Sequence, residues 1–122
     1  ANEWSLTEII YHLRDLDVEV NLPRLQKVLA EQNPFLAGIV SDVWASERNY
    51  QAQNGLLALR QFSEQRTTLS AWLQTLQPED WKRPARHAIF GPTTMLELSL
   101  FILQHDRNHL QQALALLQTQ PI

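Results

Sequence analysis

Three of the chain's four histidines have the setting and spacing to hold a metal ion. His105 and His109 fall in the run TTMLELSLFILQHDRNHLQQALALLQ, four residues apart. Residues at i and i+4 share one helical face, and this spacing lets a single helix offer two imidazoles to one ion. Leu98 and Ile102 lie on the same side, and Gln112 and Leu116 continue it, so the face points inward or into a cavity. Burying imidazoles without partners costs free energy, and a metal would partner both. The spacing alone is a weak signal, because solvated helices also carry such pairs. His12, in EIIYHLRDLDVE, strengthens it, since it borders the apolar stripe beside Ile9 and Leu16. Three neutral nitrogens converging from two helices, with a further position left to water, make the arrangement of a catalytic zinc site. The chain has no cysteine, so His, carboxylate and water must supply any such site.

Other residues have plainer readings. Glu8, Asp15 and Glu19 lie one or two turns from His12 and are candidates to orient its ring, although each alone fits a solvated helix face. Without a metal, His12 reads as a core-edge histidine bonded to Asp15 or Glu8. Asp106 projects about 100° away from His105 and reads as a surface charge or a partner for a neighbouring helix. His87 reads as an exposed loop histidine, with the mouth of a pocket as the alternative. Lys82, Arg83 and Arg86 read as a solvated loop rather than a site for an anionic substrate. The four tryptophans read as core and interface anchors.

Helices must position this constellation. Ser5 and Glu8 have capping-box spacing, and Leu6, Ile9, Leu13, Leu16 and Val20 follow as one stripe. Pro23 ends or kinks that helix, and RLQKVLAE carries it on to about residue 31. The connector NPFLAGIVSDVWASE holds Pro34, Gly38 and a short helical turn. A second long helix is predicted from about Asn49 to Leu76, with Leu56, Leu59, Phe62, Leu69, Trp72, Leu73 and Leu76 on its apolar side. Gly55 weakens it by about 1 kcal/mol relative to Ala. The connector QPEDWKRPARHAIFGP is long enough to be functional. The last helix opens at Thr93 or Thr94, where Thr94 and Glu97 repeat the capping spacing. It runs to about Gln118 and stops before Pro121.

These elements make a single all-α bundle domain over residues 1–122. Apolar residues form 44% of the chain, enough for a core. A net charge of −3 gives no electrostatic footprint for nucleic acid. No apolar run reaches the roughly 18 residues of a membrane span, and no targeting segment is visible. The expectation is a cytoplasmic protein. Three long helices with wide apolar stripes also leave a groove that a fourth would fill.

The stretches WSLTEIIYHLRDLDVEV, WKRPARH and GPTTMLELSLFILQHDRNHLQQ resemble the DinB-like (YfiT-like) family of metal-dependent bundles. The resemblance covers most of the chain. It implies an up-down-down-up four-helix bundle whose metal triad is one early histidine and a His-x-x-x-His pair in the last helix. The matching positions are His12, His105 and His109. It further implies a divalent metal, zinc or nickel, and a helix before the WS motif. That helix is not found in this chain, so the domain is expected to be N-terminally incomplete. Some family members are S-transferases that use low-molecular-weight thiols and others resemble hydrolases. The leading expectation is therefore a metal-dependent enzyme acting on a small molecule, as a thiol-dependent transferase. The alternatives are a metal-dependent hydrolase and a non-catalytic stress-response or interaction bundle. Family members are often dimers, and a homodimer is expected here.

Overall fold

The computed structural model describes residues 3–119. The first helical rod has three parts: α1 (Leu6–Leu16), a π-helical turn (Asp17–Asn21) and α2 (Leu22–Ala30). Ser5 caps α1 in a reciprocal box with Glu8. The π turn sits just ahead of Pro23, and its signature is the Leu22 N–H bonding back to the Asp17 carbonyl. A wider turn accommodates a proline that would otherwise clash with the carbonyl of the preceding turn. The rod therefore continues through Pro23 instead of ending there.

The second long helix, α4 (Gly55–Leu73), is shorter than predicted. The short α3 (Trp44–Glu47) precedes it. Asn49 then takes a left-handed conformation ahead of a 3-10 turn (Tyr50–Ala52), which excludes these residues from the helix. Asn54 is the actual N-cap, accepting from the Leu57 N–H. Gly55 is therefore at a helix start, not an interior weak point. A Cβ there would lie 2.9 Å from Thr7 Oγ1, so the missing side chain lets α4 cross close over α1. The Tyr11 hydroxyl fixes the same crossing by donating to the Asn54 carbonyl at 2.9 Å.

The connectors are not wholly irregular. They form a small three-stranded sheet, in the order β1 (Phe35–Leu36), β2 (Pro84–His87), β3 (Gly91–Thr94), a minor addition to the helical bundle that the sequence patterning did not signal. β1 runs parallel to β2, and β2 and β3 form a tight antiparallel hairpin pairing His87 with Gly91. Gly91 has φ +72°, the left-handed conformation that glycine adopts without strain. The strand then feeds α5 (Met95–Leu117), capped by a second box between Thr94 and Glu97. Pro121 lies outside the described residues.

Two buried clusters hold the bundle. One joins α1, α3 and the start of α4 through Leu6, Ile10, Tyr11, Ala45, Tyr50 and Ala58. The other joins α2, the sheet and α5 through Leu25, Val28, Leu36, Ala85, Met95 and Leu98. One face of the bundle is open. On α5, Leu103, Leu110, Leu114 and Leu117 are each about half exposed, and on α4 so are Leu56 and Leu59.

Candidate metal centre

His12, on α1, is 3% exposed, and the α1–α5 packing sets it against His105 and His109. The Nε2 atoms of all three rings meet. His105 Nε2 lies 3.3 Å from His12 Nε2 and 3.2 Å from His109 Nε2. A tetrahedral ion with bonds of about 2.0–2.1 Å separates its nitrogens by about 3.3–3.4 Å, so the donor set has the dimensions of such a site. Burial, then the neighbouring His109 and His105, push the His12 pKa down to about 4. Burial also lowers that of His105. Both rings are thus neutral near pH 7, the form that binds metal.

Proton placement supports the same fit. His109 Nδ1 lies 3.0 Å from Gln112 Oε1, an acceptor, so Nδ1 carries the hydrogen and Nε2 keeps its lone pair. His12 Nδ1 is buried and has no partner among the described residues. Three converging imidazoles hold too few hydrogens to satisfy every Nε2 contact when each places its proton outward. A cation accepts all three lone pairs at once.

The three sequence-derived candidates are therefore brought together, and no fourth His, Asp or Glu joins them among the described residues. The expected orienting carboxylates lie elsewhere. Glu8 is committed to the Ser5 cap. Asp15 accepts from Arg14, Arg48 and the Tyr50 hydroxyl, and Glu19 holds Arg48. Gln112 takes the orienting role for His109, a residue that sequence reasoning placed on the right face without giving it that task. Trp4 stacks against His109 and tilts over His12, with ring centroids 6.0 Å and 4.7 Å away. It lines the triad rather than serving only as an anchor. No sequence signal beyond its proximity to Ser5 marks it.

Asp106 pairs across the bundle, as one of its two readings has it. Arg66 of α4 bridges Asp17 on the first rod and Asp106 on α5. The basic connector is structural. Arg83 donates to the Val28 and Glu31 carbonyls, and Arg86 to that of Asn33. His87 is a correction: it is 8% exposed and lines a cavity, because β2 alternates and turns Ala85 and His87 inward. That alternation is the sequence signal that could have placed it.

The cavity, of about 420 Å³, reaches His105 and is walled largely by apolar side chains from all three parts of the first rod, the hairpin and α5. A triad that binds metal would therefore stand at the edge of a small-molecule pocket.

With this geometry established, the chain was compared with known proteins. The model of the DinB superfamily matches residues 1–113. The chain belongs to the DinB superfamily. Among relatives, it is 25% identical over 124 residues to the uncharacterized protein YuaE of Bacillus subtilis (strain 168), spanning 92% of this chain and 76% of YuaE. Among solved structures, it superposes on YfiT from Bacillus subtilis with a TM-score of 0.81 at 21% identity. That alignment spans 94% of this chain and 66% of YfiT, a protein described as a probable metal-dependent hydrolase with an unusual four-helix bundle topology. The shared architecture is the DinB-like four-helix bundle, with the small sheet as a minor addition.

Proposed function

We propose that this DinB-superfamily chain is a metal-dependent enzyme whose divalent ion, zinc or nickel, is held by His12, His105 and His109. The observation that carries the reading is the convergence of three imidazoles, with His105 Nε2 3.3 Å and 3.2 Å from the Nε2 atoms of His12 and His109 and all three ligand atoms within 4.8 Å of one another. His12, His105 and His109 would hold the ion with a position left open, where it would supply Lewis acidity to lower the pKa of water or a thiol or to polarise a carbonyl. The protein's own groups do the rest. Gln112 orients His109, Trp4 shields the imidazoles, and the adjoining cavity receives a small molecule.

Hydrolysis is the first reaction reading, supported by the description of YfiT. Thiol transfer is the second, and one observation favours it. The nearby carboxylates Asp15, Asp17 and Asp106 are all committed to cations, so no free general base stands beside the triad among the described residues. A thiol, whose ordinary pKa lies far below that of water, would reach its nucleophilic anion at such an ion more readily without a base. Since the chain lacks cysteine, a low-molecular-weight thiol would have to enter as a cosubstrate. No helix among the described residues is long and apolar enough to cross a membrane. Within the proposal, the protein is cytoplasmic and a second copy of the chain covers the open leucine face.

The test is turnover by the zinc- and nickel-loaded protein. A chromogenic ester panel is assayed without thiol, and monochlorobimane with glutathione or cysteine. His12→Ala should abolish whichever activity is found. Strict dependence on thiol would eliminate hydrolysis. Equal activity in His12→Ala would eliminate the metal-centred reading.

A further inference from the structure

Among the polar side chains lining the cavity beside His105, Asn21 donates to Asp17, while Arg24 and His87 stand apart from the triad. Of the other partly buried arginines, Arg14, Arg48 and Arg66 are matched by acids, and Arg83 fills two backbone carbonyls. Arg14 holds Asp15, and Arg66 holds Asp17 and Asp106. Arg24 differs. It is half-buried on α2, no carboxylate among the described residues pairs with it, and its protein partner is the neutral Ala37 carbonyl. A guanidinium has five N–H donors, and one carbonyl leaves most of them unused. Burial lowers its pKa, as expected of a charge without a counterion.

His87 is prepared in a complementary way. Its Nδ1 accepts from the backbone N–H groups of Ile89 and Phe90, at 3.0 and 3.2 Å. An accepting nitrogen carries no proton, so the neutral ring bears its hydrogen on Nε2. No acceptor among the described residues meets that Nε2–H. The hairpin thereby fixes His87 as a donor, and the nearby Arg24 charge works with burial to keep the ring neutral. The remaining wall is largely apolar, including Leu16, Val20, Phe101 and Ile102. Gln104 and Asn108 bond to each other. The cavity thus combines an apolar body with two donor groups whose N–H bonds are not all taken up.

We propose that this cavity takes an apolar-bodied substrate bearing a carboxylate, which Arg24 and the His87 Nε2–H bind. A planar guanidinium suits a carboxylate's two oxygens, and His105 at the same wall places the rest of the molecule beside the triad. The inference rests on the metal-dependent reading for what happens there. Arg24 and His87 act as specificity-determining residues.

The test is calorimetric titration of 4-phenylbutyrate and its neutral amide into zinc-loaded and metal-free protein. The acid should bind at least about tenfold tighter than the amide in both forms. Arg24→Gln should erase that preference while leaving zinc content and melting temperature unchanged. Arg24→Lys should retain part of it, and His87→Phe should reduce it. Equal affinity for acid and amide, or binding of neither, overturns the inference. A preference that vanishes with zinc but survives Arg24→Gln assigns the carboxylate to the ion. That outcome overturns the inference and leaves the metal reading intact. An Arg24-dependent preference in protein that takes up no zinc does the reverse: the metal reading fails and the Arg24 assignment stands.

Discussion

At the scale of single residues, the triad is a candidate site because its three imidazoles converge and burial keeps those of His12 and His105 neutral. The ordinary pKa of 6.5 for His12 falls to about 4 through burial, followed by the charges its neighbours would carry. A depressed folded-state pKa makes the unfolded chain bind more protons between these values. The contribution of His12 to the stability of the metal-free protein is therefore fully present above about pH 6.5 and is lost as pH falls toward 4. Urea denaturation of the metal-free protein across that range should show the decline, and His12→Phe should flatten it. A pH-independent midpoint in the parent would contradict a buried neutral His12. Gln112→Leu should weaken zinc binding by about 10- to 100-fold without abolishing it, as read by competition with a chromophoric chelator. Unchanged affinity would remove Gln112 from the site. The histidines were legible in the sequence because i and i+4 share a face whatever the tertiary context. Arg24 was not, since a lone arginine after a proline carries no local mark of being half-buried and without an acid.

At the scale of elements, the helices that carry the triad are held in register by charge as well as packing. Arg66 reaches from α4 to Asp17 on the first rod and Asp106 on α5, and the Asp17 side chain is only 4% exposed. Removing the guanidinium leaves that carboxylate uncompensated, so Arg66→Ala should destabilise by about 3 kcal/mol. Adding Asp17→Asn should recover part of the loss, as measured by denaturation of the single and double variants. A strictly additive loss would show that the groups do not act together. Both capping boxes were legible because they are local in sequence. The sheet was not. Its strands have two to four residues and include Pro84, Gly91 and Pro92, all disfavoured in strand interiors. They are tolerated here at strand starts and on an edge. The left-handed Asn49 likewise broke a stretch whose composition reads as helix.

At the scale of the whole molecule, the open face is the chief departure from a closed bundle. Leu103 and Leu110 stand about half exposed over a groove of about 370 Å³ that includes Leu6, Ile9, Leu59 and Phe62. Exposed apolar surface of this kind drives association. The 122-residue chain should form dimers or larger species at micromolar concentration in sedimentation velocity, and Leu103→Glu with Leu110→Glu should shift it to monomer. A parent that remains monomeric over that range would show that a second copy does not cover this face. His109 lines the same groove, so covering it would also close one approach to the triad.

The triad itself is tested most directly by metal content. The intact protein, purified and reconstituted with zinc or nickel, should carry about one ion per chain by elemental analysis. His105→Ala/His109→Ala, folded by circular dichroism, should carry almost none. No stoichiometric metal in the parent, or equal metal in the variant, would contradict a metal centre at His12, His105 and His109.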